Sequence, residues 1–169
     1  MNADSFVSFA YGSNMATARL RARCPSARAI GIAELPGHEL YWHKRSSDGS
    51  GKCDIVACGA GSVFGVLYEI ANDEKRDLDR AEGLGFGYEE IEIEVLCGGD
   101  PVKAKAYRAT DTDTALRPYT WYRGLVLAGA KEHGLPAPYI AVLESVLADQ
   151  DPDRARHDKR MALIEGVQA

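Results

Sequence analysis

Near residue 111 the hydrophobic pattern of this chain passes from mainly strand-like, interrupted by two short helical stretches, to wholly helical, and that change limits what it can fold into. Before it, apolar residues come in short runs or in strict alternation, the pattern of strands. Candidate strands cover residues 5–11, 28–35, 38–44, 53–58, 63–70, 90–95 and 102–108. Pro36-Gly37 and the glycines at 59 and 61 read as turns between them, and Asp100-Pro101 as another. Residues 46–52 are small, polar and glycine-bearing, a loop. The run Val63-Phe64-Gly65-Val66-Leu67-Tyr68-Glu69-Ile70 is nearly all apolar, as in a strand covered on both faces. Gly65 inside it predicts a bulge or a close backbone approach.

After residue 114 the pattern is helical. Tyr122, Leu125, Val126, Gly129, Ala130 and His133 fall on one face, and Gly134 with Pro136 ends that helix. Residues 138–148 predict a second helix, with Ile140, Leu143, Val146 and Leu147 inward. Residues 151–165 are charged and predict a surface helix. Strands first and helices last specify an α+β domain. Short, strongly β segments favour a small mixed, mostly antiparallel β-barrel flanked by helices. No linker or repeat divides residues 1–169, which read as one domain with 151–169 as a peripheral C-terminal tail.

Composition excludes several classes of function. With a net charge of −5 over 169 residues, no basic field draws nucleic acid. No apolar run is long enough to cross a bilayer. The start, Met1-Asn2-Ala3-Asp4, lacks a leader pattern. Cys24, Cys53, Cys58 and Cys97 have no disulfide-framework spacing, which points to a cytoplasmic protein with reduced thiols.

Two short stretches carry the chemistry. In the first, the strand at 5–11 stops at Gly12 and a helix over 15–24 follows, with Ser13 or Asn14 as its cap. Such a turn aims several backbone N–H groups at one spot, suited to a carboxylate or an oxyanion. The same residues also suit an ordinary strand-to-helix turn. In the second, Asn72 caps a helix over 73–82, and Glu82 ends it just before Gly83. A helix C-terminus and apolar neighbours (Leu84, Phe86) both disfavour an ionised carboxylate, the direction needed by a general base near neutral pH. The plain alternative is a surface glutamate at a frayed end. Arg19, Arg21 and Arg23 lack acidic partners on their helix and read mainly as a solvated face, with anion binding as the lesser alternative. Tyr11, Tyr88, Tyr107, Tyr119 and Tyr122 offer phenolic donors. His38, His43, Cys53 and Cys58 lack zinc-ligand spacing, so no metal is expected. No phosphate loop, dinucleotide fingerprint or nucleophile elbow is present, and Ser13 has no evident histidine partner.

Phe9-Ala10-Tyr11-Gly12-Ser13-Asn14-Met15 resembles the Tyr-Gly-Ser-Asn signature of the γ-glutamylcyclotransferase superfamily. Leu78-Asp79-Arg80-Ala81-Glu82-Gly83, followed by Gly87-Tyr88, resembles that family's catalytic-glutamate segment. Gly129 to Pro136, preceded by Tyr122, is similar to a C-terminal helix of the branch acting on γ-glutamyl amino acids. Order and spacing agree over roughly residues 6–149. The resemblance implies a compact mixed fold around a small barrel, often dimeric, without cofactor. It implies conversion of a γ-glutamyl amino acid into 5-oxoproline and a free amino acid. Glu82 is then the general acid/base. Tyr11, Gly12, Ser13, Asn14, Tyr88 and Tyr122 bind the substrate. The stretch 46–58 and the tail after Asp149 depart from the family pattern and leave the leaving group open. A γ-glutamyl amine, an acylated biosynthetic intermediate, or a non-catalytic module binding a small carboxylate are the alternatives.

Overall fold

The computed structural model describes residues 4–168, so the N-terminal residues read for a leader lie, Asp4 apart, outside the described residues. Among the described residues, five strands close a barrel in the order β1-β3-β2-β4-β5. They are β1 (Ser5–Ala10), β2 (Arg28–Arg45), β3 (Gly51–Ala71), β4 (Tyr88–Cys97) and β5 (Asp100–Ala109). Neighbours run antiparallel except at the closing seam, where Ser8 of β1 meets Lys105 of β5 in parallel. The helices are α1 (Thr17–Arg21), α2 (Lys75–Glu82), α3 (Thr120–Glu132), α4 (Ala137–Ser145) and α5 (Arg154–Gln168). The mixed, mostly antiparallel barrel flanked by helices is therefore the observed architecture. None of the described helices is long and apolar enough to cross a membrane.

The expected breaks at Pro36-Gly37 and at 59–61 are not chain reversals. β2 and β3 form one long ribbon, from Arg28 opposite Glu69 to Arg45 opposite Gly51. Its register steps from Pro36↔Ser62 to His38↔Ala57, so both strands bulge at the same level and continue together. Gly37, Gly59 and Gly61 take the positive φ that this irregularity needs. The β4–β5 hairpin turns at Gly98-Gly99, with Cys97 paired to Asp100, so Asp100 and Pro101 already belong to β5. Two glycines with positive φ match the twist of a two-residue hairpin loop better than Asp-Pro does.

The central run of β3 is covered on both faces, with Val63, Val66, Leu67, Tyr68 and Ile70 all buried. Gly65 marks a close approach and no bulge: a Cβ there would stand 2.5 Å from the Ala10 carbonyl oxygen and 2.7 Å from the Phe9 ring. α3 buries Trp121, Tyr122, Leu125, Val126 and Ala130. It ends as expected: Gly134 takes positive φ, and the N–H groups of Gly134 and Leu135 donate to the carbonyls of Lys131 and Ala130. α4 stops at Ser145, two residues before Leu147, which is left exposed rather than inward. α5 lies on α3, where Ile164 packs over Gly124. The Trp121 indole N–H donates to Asp151 at 2.8 Å, just ahead of α5.

Candidate functional site

Two local structures aim the two stretches singled out above at each other. After β1, Gly12 leads into a single 3-10 turn, Ser13–Met15, and then the five-residue α1. Helix α1 is shorter than expected, and neither Ser13 nor Asn14 caps it. Ser13 accepts from Arg19 Nε at 3.0 Å. Asn14 uses its amide across the cleft instead. The N–H groups of Gly12, Ser13 and Asn14 have no acceptor among the described residues. Gly12 is needed for space, not for unusual φ: a Cβ there would lie 3.1 Å from the Tyr122 hydroxyl and 3.2 Å from Cys53 Cβ.

Glu82 is the last residue of α2. Gly83 follows with φ 70°, and the N–H groups of Gly83 and Leu84 return to the carbonyls of Arg80 and Asp79. That closed cap fixes where the Glu82 side chain leaves the helix. A single 3-10 turn, Asn72–Glu74, introduces α2 without a side-chain cap from Asn72. The carboxylate accepts from Asn14 Nδ2 at 2.5 Å and from Arg23 at 3.0 Å, both on Oε1. Arg23 also donates to Asn14 Oδ1 at 2.7 Å, which closes a triangle. The surroundings differ from the sequence reading. Leu84 is exposed and Phe86 is 92% exposed, so neither covers the carboxylate. Polar partners hold it instead.

Between these stretches lies a small, partly open cleft. Tyr11, Gly12, Ser13, Asn14, Glu82, Tyr88 and Tyr122 all line it, so every residue assigned to the site from sequence reaches one cavity. Its wall is braced by phenols. Tyr88 donates to the Cys53 carbonyl at 2.7 Å, and Tyr122 accepts from the Cys53 N–H at 3.1 Å. Tyr11 donates to the Tyr107 carbonyl, and Tyr107 donates to Asp79 at 2.6 Å. Burial is the largest cause that keeps Tyr11, Tyr88 and Tyr122 protonated far above the usual phenol range. They serve as neutral hydrogen-bonding walls. Burial likewise pushes the Cys53 thiol up to about 12, so it is no thiolate nucleophile. His43 pairs with Asp54 at 2.9 Å, His38 turns to the Pro36 carbonyl, and Cys58 is exposed. Among the described residues, no group of three or more histidine, cysteine or acidic side chains could hold a metal.

Residues 62–143 match the AIG2-like family model. Human gamma-glutamylcyclotransferase is 31% identical over 150 residues, covering 85% of this chain and 79% of that protein. The chain belongs to the γ-glutamylcyclotransferase family. The mouse relative of the same name is 32% identical over 156 residues. A solved gamma-glutamyl cyclotransferase superposes with a TM-score of 0.87 at 27% identity, covering 96% of this chain and 99% of that one.

Sequence reasoning named the arginines but missed their partners. Arg23 holds Glu82, Arg19 holds Ser13, and Arg21 donates to the Ala27 carbonyl, so these are not simply a solvated face. The signal was present: three arginines on a short helix had no acid of their own beside a polar turn. Lys44 was missed too. Its ammonium sits 4.7 Å above the Tyr88 ring, and burial lowers its pKa.

Proposed function

We propose that this protein cyclises a γ-glutamyl amino acid, releasing 5-oxoproline and a free amino acid. The observation that carries this reading is the meeting of the Glu82 carboxylate with the unpaired N–H groups of residues 12–14 in one cleft, in a chain of this family. Nucleophile and electrophile belong to one substrate molecule. The protein therefore has only to fold that molecule and move its protons. The substrate's α-ammonium must lose two protons as it becomes the lactam N–H, and the departing nitrogen must gain two. Glu82 takes them one at a time and hands them across. Asn14 and Arg23 hold Oε1, and no donor among the described residues reaches Oε2, so Oε2 faces the reacting nitrogen. The N–H groups of Gly12, Ser13 and Asn14 receive the substrate carboxylate or the γ-carbonyl oxygen as charge builds on it. Tyr11, Tyr88 and Tyr122 form the wall against which the glutamyl chain bends. No cofactor enters these steps.

The protein works in this reading as one domain, in the cytoplasm and as a homodimer, and its product joins glutathione metabolism. Support for the compartment is the unpaired state of all four cysteines. The test is release of 5-oxoproline from γ-glutamyl-alanine by wild type and by Glu82→Gln. The variant is expected to lose about a hundredfold to ten-thousandfold in kcat with its fold intact. Equal turnover by the two proteins overturns the assignment of Glu82.

A further inference from the structure

Helix α2 carries Glu82 but owes little of its position to the core. Of its eight residues only Leu78 is buried. Polar side chains therefore fix its last turn. On the cleft side, Asn14 and Arg23 reach Glu82 itself. On the barrel side the turn is held at Asp79, which lies three residues before Glu82 and so next to it on the helix surface. Asp79 accepts from the Tyr107 hydroxyl at 2.6 Å and from Lys75. Lys75 also pairs with Glu90, and Glu90 with Lys105, so the contact continues onto β4 and β5. The Asp79 carbonyl accepts the Leu84 N–H that closes the helix cap.

Tyr107 is buried on β5 and uses two groups at once. Its hydroxyl holds Asp79, while its main-chain carbonyl accepts the Tyr11 hydroxyl. Tyr11 immediately precedes Gly12. One residue therefore ties the helix that carries Glu82 to the strand end that carries the N–H groups of residues 12–14. Burial first, and the hydrogen bond to the Asp79 carboxylate next, hold the Tyr107 phenol above the usual phenol range, so it stays a donor. A hydrogen bond to an ionised acceptor is stronger than one between neutral groups, which suits it to hold a lightly packed helix.

We propose that Asp79 is a positioning residue: through Tyr107 it sets where Glu82 stands relative to the turn at residues 12–14. This rests on the cyclotransferase reading above and deepens it. Asn14 and Arg23 orient the carboxylate, whereas Asp79 places the backbone from which that carboxylate extends. Tyr107 and Glu82 line the cleft, and Asp79 acts from behind them. A displacement of about 1 Å at a reacting group can cost about a hundredfold in rate. Loss of one of several contacts that hold α2 should cost less than that.

The experiment measures 5-oxoproline release from γ-glutamyl-alanine by wild type, Asp79→Ala, Asp79→Asn, Tyr107→Phe and the double variant of Asp79→Ala with Tyr107→Phe. Asp79→Ala is expected to lose about tenfold in kcat, the scale of one hydrogen bond to a charged group, with KM within about twofold. Asp79→Asn keeps an oxygen that accepts from Tyr107 and should recover most of that loss, although its pair with Lys75 is gone. The double variant should lose no more than the worse single variant, because both changes remove the same contact. Full kcat in Asp79→Ala, no recovery in Asp79→Asn, or losses that multiply in the double variant overturn the positioning role and leave the cyclotransferase standing. So does a fall in melting temperature large enough to account for the lost activity. Should wild type release no 5-oxoproline, the cyclotransferase reading falls, and crystal structures decide the positioning role alone. Glu82 parted from Asn14 in Asp79→Ala keeps it, and an unmoved Glu82 ends it.

Discussion

The two walls of the cleft are held in different ways. The wall at residues 12–14 is locked by main chain and core. Met15 and Ala16 are wholly buried, and α3 presses its backbone against theirs at Gly129. His133 and Tyr68 add hydrogen bonds to the Met15 carbonyl at 3.1 and 2.7 Å. The facing wall is the end of an eight-residue helix with exposed neighbours, and its carboxylate is steered by two polar side chains. The difference matches two tasks. Donors that stabilise developing charge work best when already fixed, because they then need no reorganisation as the charge appears. A carboxylate proposed to pass protons between two neighbouring nitrogens needs one oxygen free and partners that orient the other, which Asn14 and Arg23 supply.

Gly129→Val tests the locked wall and has the largest expected effect. A Cβ at 129 would stand 2.6 Å from the Met15 carbonyl carbon and 2.7 Å from Met15 Cβ, both deep in the core. Overpacking of this kind costs about 1–3 kcal/mol. Denaturant unfolding should show that loss, and turnover should fall with it, because the N–H groups at 12–14 move when α3 backs away. A variant with native stability and native kcat would mean that the turn is not positioned by α3, and the contrast between the walls would collapse.

Arg23→Gln tests the steered wall and ranks second. It removes the ion pair to Glu82 and one hydrogen bond to Asn14. Both Arg23 and Glu82 are partly exposed, so unfolding free energy should change by no more than about 1 kcal/mol. Turnover should fall more, by about tenfold to a hundredfold in kcat, because the carboxylate loses one of the two groups that orient it. Kinetics that move while stability hardly does are the mark of a positioning residue. A large loss of stability with proportionate loss of activity would make Arg23 structural.

Much of this arrangement was readable in the sequence, and the limits have physical causes. Periodicity located the strands, and Gly134 with Pro136 ended α3 where the structure ends it. Tyr-Gly-Ser-Asn and Glu82-Gly83 pointed to both walls of the cleft through their resemblance to the family's motifs; as local devices alone they also suited an ordinary turn and a frayed helix end. Pro36-Gly37 misled because the meaning of a turn dipeptide depends on the partner strand. Opposite it, 58–61 bulges at the same level, so the ribbon kinks and carries on. Asn14 misled in the same way. Its side chain suits a cap, but Glu82 and Arg23, distant in sequence, compete for it and win. The packing of α5 against α1 was illegible, since no local pattern encodes that docking.

Phe86 gives the smallest expected effect and the sharpest test of whether the steered wall works without apolar cover. The sequence places it four residues after Glu82, where it reads as a group that dries the carboxylate. In the structure it is 92% exposed and packs on nothing that its loss would uncover. Phe86→Ala should therefore change stability by less than about 0.5 kcal/mol, as surface substitutions usually do. kcat on γ-glutamyl-alanine should stay within about twofold of wild type, since polar contacts from Asn14 and Arg23 already orient the acid. A loss of tenfold or more in kcat at unchanged stability has one physical explanation: Phe86 folds over Glu82 once substrate is bound, excluding water from the proton transfer. The short loop at 83–87 would then be a lid, and the two walls would differ by mobility as well as by how they are held.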